Sequence, residues 1–171
     1  SAYGGGKEEQ ERRIDAEIKK LQAIIGDLIY SYEDDCLEHR LGCILKENGL
    51  TISTAESCTG GLIASMITSI AGSSEYYLGS VVSYANSVKT GVLGVDPEVI
   101  SEHGAVSEEC VRQMAEGVRK LTGSDFAVAT SGIAGPGGGS EEKPVGTVWI
   151  AVSSDRSTEA YRMIFNSDRK R

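Results

Sequence analysis

Six residues, Asp125-Phe126-Ala127-Val128-Ala129-Thr130, form a nearly continuous apolar run. A strand that is wet on one face alternates polar and apolar side chains, so a run without alternation belongs in a sheet covered on both faces. Covering both faces takes helices on either side, and the chain supplies them in alternation with further strand-like runs. Residues 50–53 have the β-branched alternation of a short strand and residues 62–67 read as a helix. Residues 81–84 form another short strand, followed by a short helix from Asn86 to about Leu93, and Asp96-Pro97 opens a further helical turn with proline at a first-turn position. Ser107-Glu108-Glu109-Cys110 is close to a capping box and opens a helix through Val111, Met114, Ala115, Val118 and Leu121, closed by Gly123. Residues 145–152 and 159–165 read as two last strands in a hairpin. The expected fold class is α/β: a three-layer α/β/α sandwich with a mixed, mostly parallel sheet, the closing hairpin supplying the antiparallel part.

The first third of the chain has a different character. Residues 1–6 hold three glycines in a row and specify no structure, while Ile14, Ile18, Leu21 and Ile25 recur at three- and four-residue steps among many charges, as in a one-sided amphipathic helix. Residues 26–31 are strand-like, and Glu33-Asp34-Asp35 is an acidic helix start leading into Leu37, Leu41, Ile44 and Leu45, with Asn48-Gly49 ending that helix. The expected division is residues 1–31 as a flexible end with a linker helix and strand, and residues 32–171 as one globular domain. The unpartnered stripe of the first helix points to a homo-oligomer, a dimer, or to a preceding domain that covers it.

Bulk properties exclude several function classes. The 171 residues, 40% of them hydrophobic, suffice for one well-buried core. A formal net charge of −8 opposes contact with nucleic acid, whose binders present a basic face to phosphate. No run of eighteen apolar residues and no charged-then-apolar leader pattern occurs, so a cytoplasmic protein with no membrane role is expected. Cys36, Cys43, Cys58 and Cys110 contain no C-x-x-C pair and His39 and His103 lie far apart, which gives no metal-ligand spacing. Cys36, Cys43 and Cys110 read as small apolar fillers and the two histidines as surface or capping residues.

Three constellations carry chemistry. Thr54-Ala55-Glu56-Ser57-Cys58-Thr59-Gly60-Gly61 falls at a strand-to-helix turn, where backbone N–H groups and a helix dipole suit an anion or a developing oxyanion; the same residue types also make a plain helix cap. Tyr84 and Lys89 are five apart, a phenol at a strand end and an amine one turn into a helix, both able to reach the sheet edge where ligands of α/β proteins bind. A buried lysine of lowered pKa can act as base for a serine, with the tyrosine hydroxyl as proton relay. Residues 132–140 form a glycine-rich loop that runs into a strand, which rules out a Rossmann or Walker loop but leaves a nest of N–H groups for phosphate, or simply a surface loop. Neither Gly-x-Ser-x-Gly nor Ser-x-x-Lys surrounds Ser57.

Together with Gly72-Ser73-Ser74, Tyr84-Ala85-Asn86, His103-Gly104-Ala105-Val106-Ser107 and Glu141-Glu142-Lys143-Pro144-Val145-Gly146-Thr147-Val148-Trp149, these blocks resemble the CinA C-terminal domain family in the order and spacing of their motifs. The resemblance implies a metal-independent nicotinamide-nucleotide amidohydrolase with no cofactor, which converts nicotinamide mononucleotide to nicotinic acid mononucleotide and ammonia. Carried onto this sequence, it makes Ser57 the nucleophile and Lys89 and Tyr84 its base and proton relay; backbone N–H groups near Cys58 and Thr59 would then hold the oxyanion. Substrate contacts would come from Glu56, Gly60, Asn86 and Arg169, and from Gly72, Ser73, Ser74, Gly135, Gly137, Gly138 and Lys143 as candidates for the phosphate. Ser167 stands where the family's Phe-x-Gly-Asp-Arg segment has glycine, and family members continue into a helix past the position of Arg171, so the resemblance implies a domain truncated at its C-terminus. It also implies fusion, in the full protein, to an N-terminal nucleotide-processing domain. Two other readings stay open on the residues: Cys58 as the nucleophile, and a non-catalytic nucleotide-binding module that regulates or scaffolds a partner.

Overall fold

The structure, a computed structural model, describes residues 6–26, 29–31 and 35–165. The chain divides into two compact units, Ser1–Arg40 and Leu41–Arg171. In the first, helix α1 spans Lys7–Ile25, with Glu8 and Glu9 favourably placed against the positive end of its dipole. None of its residues is buried; Ile14, Leu21, Ile24 and Ile25 of the apolar stripe are exposed. The strand expected over 26–31 does not form among the described residues: Ile29, Tyr30 and Ser31 are irregular, and Asp27 and Leu28 lie outside them. Among the described residues of its unit, a lone run of that length has no second strand to pair with. Helix α2 spans Leu37–Asn48 and so links the two units; Glu33 and Asp34 lie outside the described residues, while Asp35 stands just ahead of the helix with its carboxylate 2.7 Å from His39 Nδ1.

The second unit is built on a five-stranded sheet: β1 Ile52–Glu56, β2 Tyr77–Val82, β3 Phe126–Gly132, β4 Thr147–Ser153 and β5 Thr158–Ile164, in the order β2-β1-β3-β4-β5. β1 pairs in parallel with both β2 and β3, whereas β3–β4 and β4–β5 are antiparallel. The sheet is therefore mixed, with as many antiparallel pairings as parallel ones rather than mostly parallel. The reason is the glycine loop, which returns the chain directly from β3 to β4 without a crossover helix. Two boundaries also move. β1 runs to Glu56, taking in Thr54 and Ala55, because β2 and β3 ladder it on both sides and bury all five residues; β2 begins at Tyr77 and stops before Ser83.

The helices α3 (Leu62–Thr68), α4 (Asn86–Gly91), α5 (Pro97–His103) and α6 (Glu108–Thr122) complete three layers. α6 lies across one face, where Val111, Met114, Ala115 and Val118 pack on Ala55, Ala127, Ala129 and Ala151. Alanines on the sheet let the helix come close, and each large side chain buried there is worth about 1.5–3 kcal/mol. On the other face Leu41 and Leu45 of α2 and Ile63 and Ile67 of α3 meet Ile52, Tyr76, Phe126 and Val128. Capping follows the sequence: Ser107 Oγ accepts from Cys110 N, Asp96 accepts from Glu98 N ahead of Pro97, and Gly123 ends α6 with φ 72°.

Three parallel strands end at one edge, with Glu56 opposite both Val82 and Thr130. The segments that follow them, starting at Ser57, Ser83 and Ile133, therefore emerge side by side, as ligand-binding loops do in α/β sheets. The chain enters α4 from this edge. Leu93 and Val95, buried in the α6-side core, anchor it on leaving, and Gly117 is what permits that anchor. A Cβ at Gly117 would stand 1.9 Å from the Leu93 carbonyl oxygen. Gly117→Ala, ordinarily a helix-favouring change, is predicted to destabilise the fold by about 3 kcal/mol, because backbone rather than a movable side chain is in the way. Urea denaturation midpoints of the two chains check this; an unchanged midpoint refutes the close approach.

Candidate active site

Glu56, the last residue of β1, is fully buried. Its carboxylate accepts hydrogen bonds from Gly61 N (3.0 Å), Ile63 N (3.1 Å) and Ala64 N (2.8 Å). It thus caps α3 from the strand side, and the positive end of that helix is taken up internally. Reaching back this far requires a tight reversal, for which Gly60 (φ 62°) and Gly61 (φ 99°) adopt the left-handed region that glycine tolerates. Glu56 and Gly60 are therefore parts of the turn's scaffold, and the Glu56 oxygens are occupied by backbone rather than turned to a ligand.

What the turn presents is Ser57 and two backbone donors. Ser57 N donates to Thr130 O (3.0 Å), Gly60 N to Ser57 O and Leu62 N to Thr59 O. The N–H groups of Cys58 and Thr59 donate to no oxygen among the described residues. Thr59 Oγ1 and Thr130 Oγ1, 2.8 Å apart, tie the turn to the end of β3.

Lys89 projects from α4 into the same spot. It is 1% exposed, and its Nζ stands 3.1 Å from Ser57 Oγ and donates to the Ser83 carbonyl at 2.6 Å. No carboxylate pairs with it among the described residues. Burial therefore lowers its pKa from the ordinary lysine value, the neighbouring Cys110 and Cys58 only partly opposing the shift. Burial likewise raises the thiols of Cys58 and Cys110, which holds both in the un-ionised, weakly nucleophilic form. Among the described residues, Ser57 and Cys58 form their hydrogen bonds with Lys89, Thr130 and the turn's own backbone.

The other residues expected at the site divide by topology. Tyr84 follows Ser83 at the rim and is 63% exposed, and the hydrogen bonds of Lys89 go to Ser57 and Ser83 rather than to it. Asn86 opens α4 on the same rim. Gly135, Gly137, Gly138 and Lys143 belong to the loop 133–146 that leaves β3 at this edge; Lys143 Nζ donates to His103 O at 2.6 Å, fastening the loop to the end of α5. Gly72, Ser73 and Ser74 do not come to the site. They precede β2, whose first residue Tyr77 pairs with Ile52 while Val82 pairs with Glu56, so they sit at the opposite edge of the sheet, about 20 Å away at the rise of a strand. The sequence placed β2 too late to reveal this. Arg169 lies outside the described residues.

Three participants were not singled out by sequence reading: Ser83, which acts through its carbonyl, Thr130, which anchors both Ser57 and Thr59, and Ser131, whose hydroxyl donates to Ala105 O at 2.7 Å. The signal for the last two was present, since a hydroxyl pair at the end of an otherwise apolar strand marks where the strand meets a polar edge. A backbone carbonyl has no sequence signal. Among the described residues no cluster of three or more His, Cys, Asp or Glu is arranged to hold a metal, and no helix is long and apolar enough to cross a membrane.

Known proteins share this arrangement of strands and turns. The profile of the CinA C-terminal domain matches residues 34–171. A CinA-like protein of Salinibacter ruber is 50% identical over 157 residues, which are 92% of this chain and 38% of that protein. A CinA-like protein of Cytophaga hutchinsonii is 45% identical over 167 residues, 98% of this chain and 40% of that protein. The chain thus spans about two fifths of the length of these curated relatives. Among solved structures, the competence/damage inducible protein CihA of Agrobacterium tumefaciens superposes with a TM-score of 0.76 at 44% identity, over 78% of this chain and 82% of that one. The competence damage-inducible protein A of Klebsiella pneumoniae gives 0.76 at 40% identity, over 78% and 83%. With its fold and its sequence in agreement, the chain belongs to the CinA C-terminal domain family.

Proposed function

We propose that this domain is an amidohydrolase working through a serine–lysine pair, and that its substrate is nicotinamide mononucleotide, cleaved to nicotinic acid mononucleotide and ammonia. The observation that carries the reading is the buried contact of Lys89 Nζ with Ser57 Oγ, beside two backbone N–H groups that donate to no oxygen among the described residues. The substrate rests on the family resemblance. In its neutral form the Lys89 amine donates to the Ser83 carbonyl and offers its lone pair to the Ser57 hydroxyl proton. Ser57 Oγ then attacks the carboxamide carbon, and the oxyanion that forms falls to the N–H groups of Cys58 and Thr59, each such donor being worth about 3–4 kcal/mol in comparable sites. Lys89 returns its proton to the departing nitrogen, which leaves as ammonia. A water, deprotonated by Lys89, hydrolyses the nicotinoyl ester and releases the acid. Tyr84 at the rim and the glycine loop are placed to line the approach of the nucleotide, and Lys143 gives that loop a positive charge. Cys58 as nucleophile is disfavoured by its raised thiol pKa, with no histidine among the groups that act on the thiol in the described residues.

Ammonia release from nicotinamide mononucleotide tests the reading. Ser57→Ala is predicted to lower kcat by about 10³-fold or more. Wild-type turnover by that variant, or none by the wild type, sinks it; nucleotide binding without turnover by the wild type establishes a regulatory module instead. Lys89→Arg keeps the charge but cannot be deprotonated, and is predicted to be as inactive as Ser57→Ala. Activity of the wild type is predicted to rise with pH to a plateau set by Lys89.

Stability gives an independent check. Because the folded-state pKa of Lys89 lies below its unfolded value of 10.5, the unfolded chain binds more protons between the two, and stability rises with pH across that window. Lys89→Met is therefore predicted to melt at or above the wild-type temperature near neutral pH, the gap narrowing as pH approaches 10.5. A variant that melts progressively lower than wild type as pH falls shows that Lys89 is not held against its charged state.

A further inference from the structure

The edge of the sheet opposite Ser57 holds a second cavity. Ser153 pairs with Ala127 at the start of β3 while Val148 pairs with Gly132 at its end, so the turn between β4 and β5 lies away from the active site. Between that turn and the last turns of α6 is a pocket of about 570 Å³. Three cations from two elements converge on it: Arg119 and Lys120 from α6, and Arg156 from the β4–β5 turn. None of them forms an ion pair or a side-chain hydrogen bond among the described residues, and the Nε of Arg119 is buried without a partner. The charge of Arg119 acts on Asp125, but that carboxylate is hydrogen-bonded by Thr51, at 2.7 and 2.8 Å. Two cations near a helix C-terminus suit its dipole; the third stands on the opposite wall and owes nothing to the helix. Its support is rigid, since Ser154 Oγ accepts from Arg156 N and Ser157 N, both at 3.2 Å, and Ser154 N donates to Ser157 O at 2.9 Å.

A buried guanidinium N–H without an acceptor costs the fold stability, and an acceptor in the cavity removes that cost. A chain of net charge −8 repels anions at a distance, so a site for one needs several unpaired cations at close range. Two guanidinium forks and an ammonium on facing walls match a phosphate group, with its two charges and three terminal oxygens, better than a carboxylate. The rest of the lining tells what the phosphate is attached to. No aromatic or aliphatic residue lines the cavity; beside the cations it offers glycine, serine and threonine, and the carboxylates of Glu116 and Asp155, which form no ion pair among the described residues. A nucleobase finds no face to stack on, and a bare phosphate brings the two carboxylates nothing, whereas a body bearing hydroxyl groups gives them donors. The volume is far more than a phosphate ion fills and falls within the range of about 300–1,000 Å³ usual for small-molecule sites. We infer that this cavity binds a phosphorylated sugar, its phosphate held by Arg119, Lys120 and Arg156 and its hydroxyl groups by Glu116 and Asp155. The inference does not depend on the reaction at Ser57.

Calorimetric titration of the 171-residue chain with ribose 5-phosphate at low ionic strength tests this. Saturable binding is expected, with a dissociation constant raised about 10-fold or more in the double variant Lys120→Gln/Arg156→Gln, which removes two charge-assisted contacts. Both side chains are exposed, so the fold survives the change, as an unaltered far-UV spectrum will show. Arg119→Met keeps the apolar stem of that side chain and is expected to weaken binding by a similar factor. Inorganic phosphate and ribose, each carrying half of the recognised chemistry, are expected to bind about 10-fold or more weakly than ribose 5-phosphate. AMP, whose base has nothing to stack on, is expected to bind no more tightly than the sugar phosphate. Lys143→Gln, at the Ser57 edge, is expected to leave the constant unchanged. The inference is overturned by a wild type that shows no saturable binding, or by a constant indifferent to Lys120→Gln/Arg156→Gln and to Arg119→Met. It is equally overturned by a constant that rises with Lys143→Gln, by inorganic phosphate binding as tightly as ribose 5-phosphate, or by AMP binding more tightly.

Discussion

The buried carboxylate of Glu56 organises the site end of the domain. A carboxylate taken out of water without a cation is sustained only where several donors replace its hydration, and three backbone N–H groups within 3.1 Å do so here, with the dipole of α3 behind them. This single cap divides the amides of the turn. Gly61, Ile63 and Ala64 go to Glu56, Ser57 goes to Thr130, Gly60 and Leu62 close local turns, and Cys58 and Thr59 donate to no oxygen among the described residues. A site at a helix start is usually read as using the helix dipole. In this protein the dipole stabilises a structural anion, and what remains for chemistry is a pair of fixed amides beside a serine.

Lys89 pulls the other way. Its amine is buried with a hydroxyl and a carbonyl and, among the described residues, no counter-ion, an arrangement that favours the neutral base and costs the fold stability below the lysine's depressed pKa. The fold sustains that cost through the α6-side core. Leu93 and Val95 fasten the chain beyond α4, and Gly117 lets the Leu93 backbone lie against α6. Packing far from Ser57 thereby sets the position of the amine to within a hydrogen-bond length, which is the usual relation between a rigid shell and a reactive group.

Much of this was legible in the sequence, and the failures share a cause. Periodicity located α6 with both its caps, the apolar β3 strand and the closing hairpin, because each of these is a local pattern. The Ser57 turn and Lys89 were found because their residue types are chemically unusual where they stand. Register was not legible. Whether Gly72, Ser73 and Ser74 lie beside Ser57 or at the far edge depends on where β2 begins, and β2 is specified by its ladder with β1 rather than by its own alternation. Glu56 was read as facing a ligand because a side chain at a strand end has two directions to choose from, and only the glycine-permitted reversal after it decides between them. The role of Ser83 is invisible for a simpler reason: a carbonyl is the same in every residue.

The mixed sheet has a consequence for what the site admits. Had β4 joined in parallel, a crossover helix would have separated it from β3; antiparallel entry instead returns the chain at the site edge, through a loop whose ends are clamped by Ile133 N to Thr147 O and Gly146 N to Ile133 O. Lys143 and Arg162 fix the middle of the loop, through the carbonyls of His103 and Glu142. At its root Gly132 is pressed against the Ser57 turn so closely that a Cβ there would lie 2.8 Å from the Thr147 oxygen and 3.0 Å from Cys58 Sγ. A glycine-rich loop is ordinarily mobile, but one clamped at both ends and pinned at two interior points is a wall. On the proposed reaction this wall and the rim around Tyr84 bound the space above Ser57 on two sides. Selection among amides then rests on the fixed shape between them more than on any one polar contact.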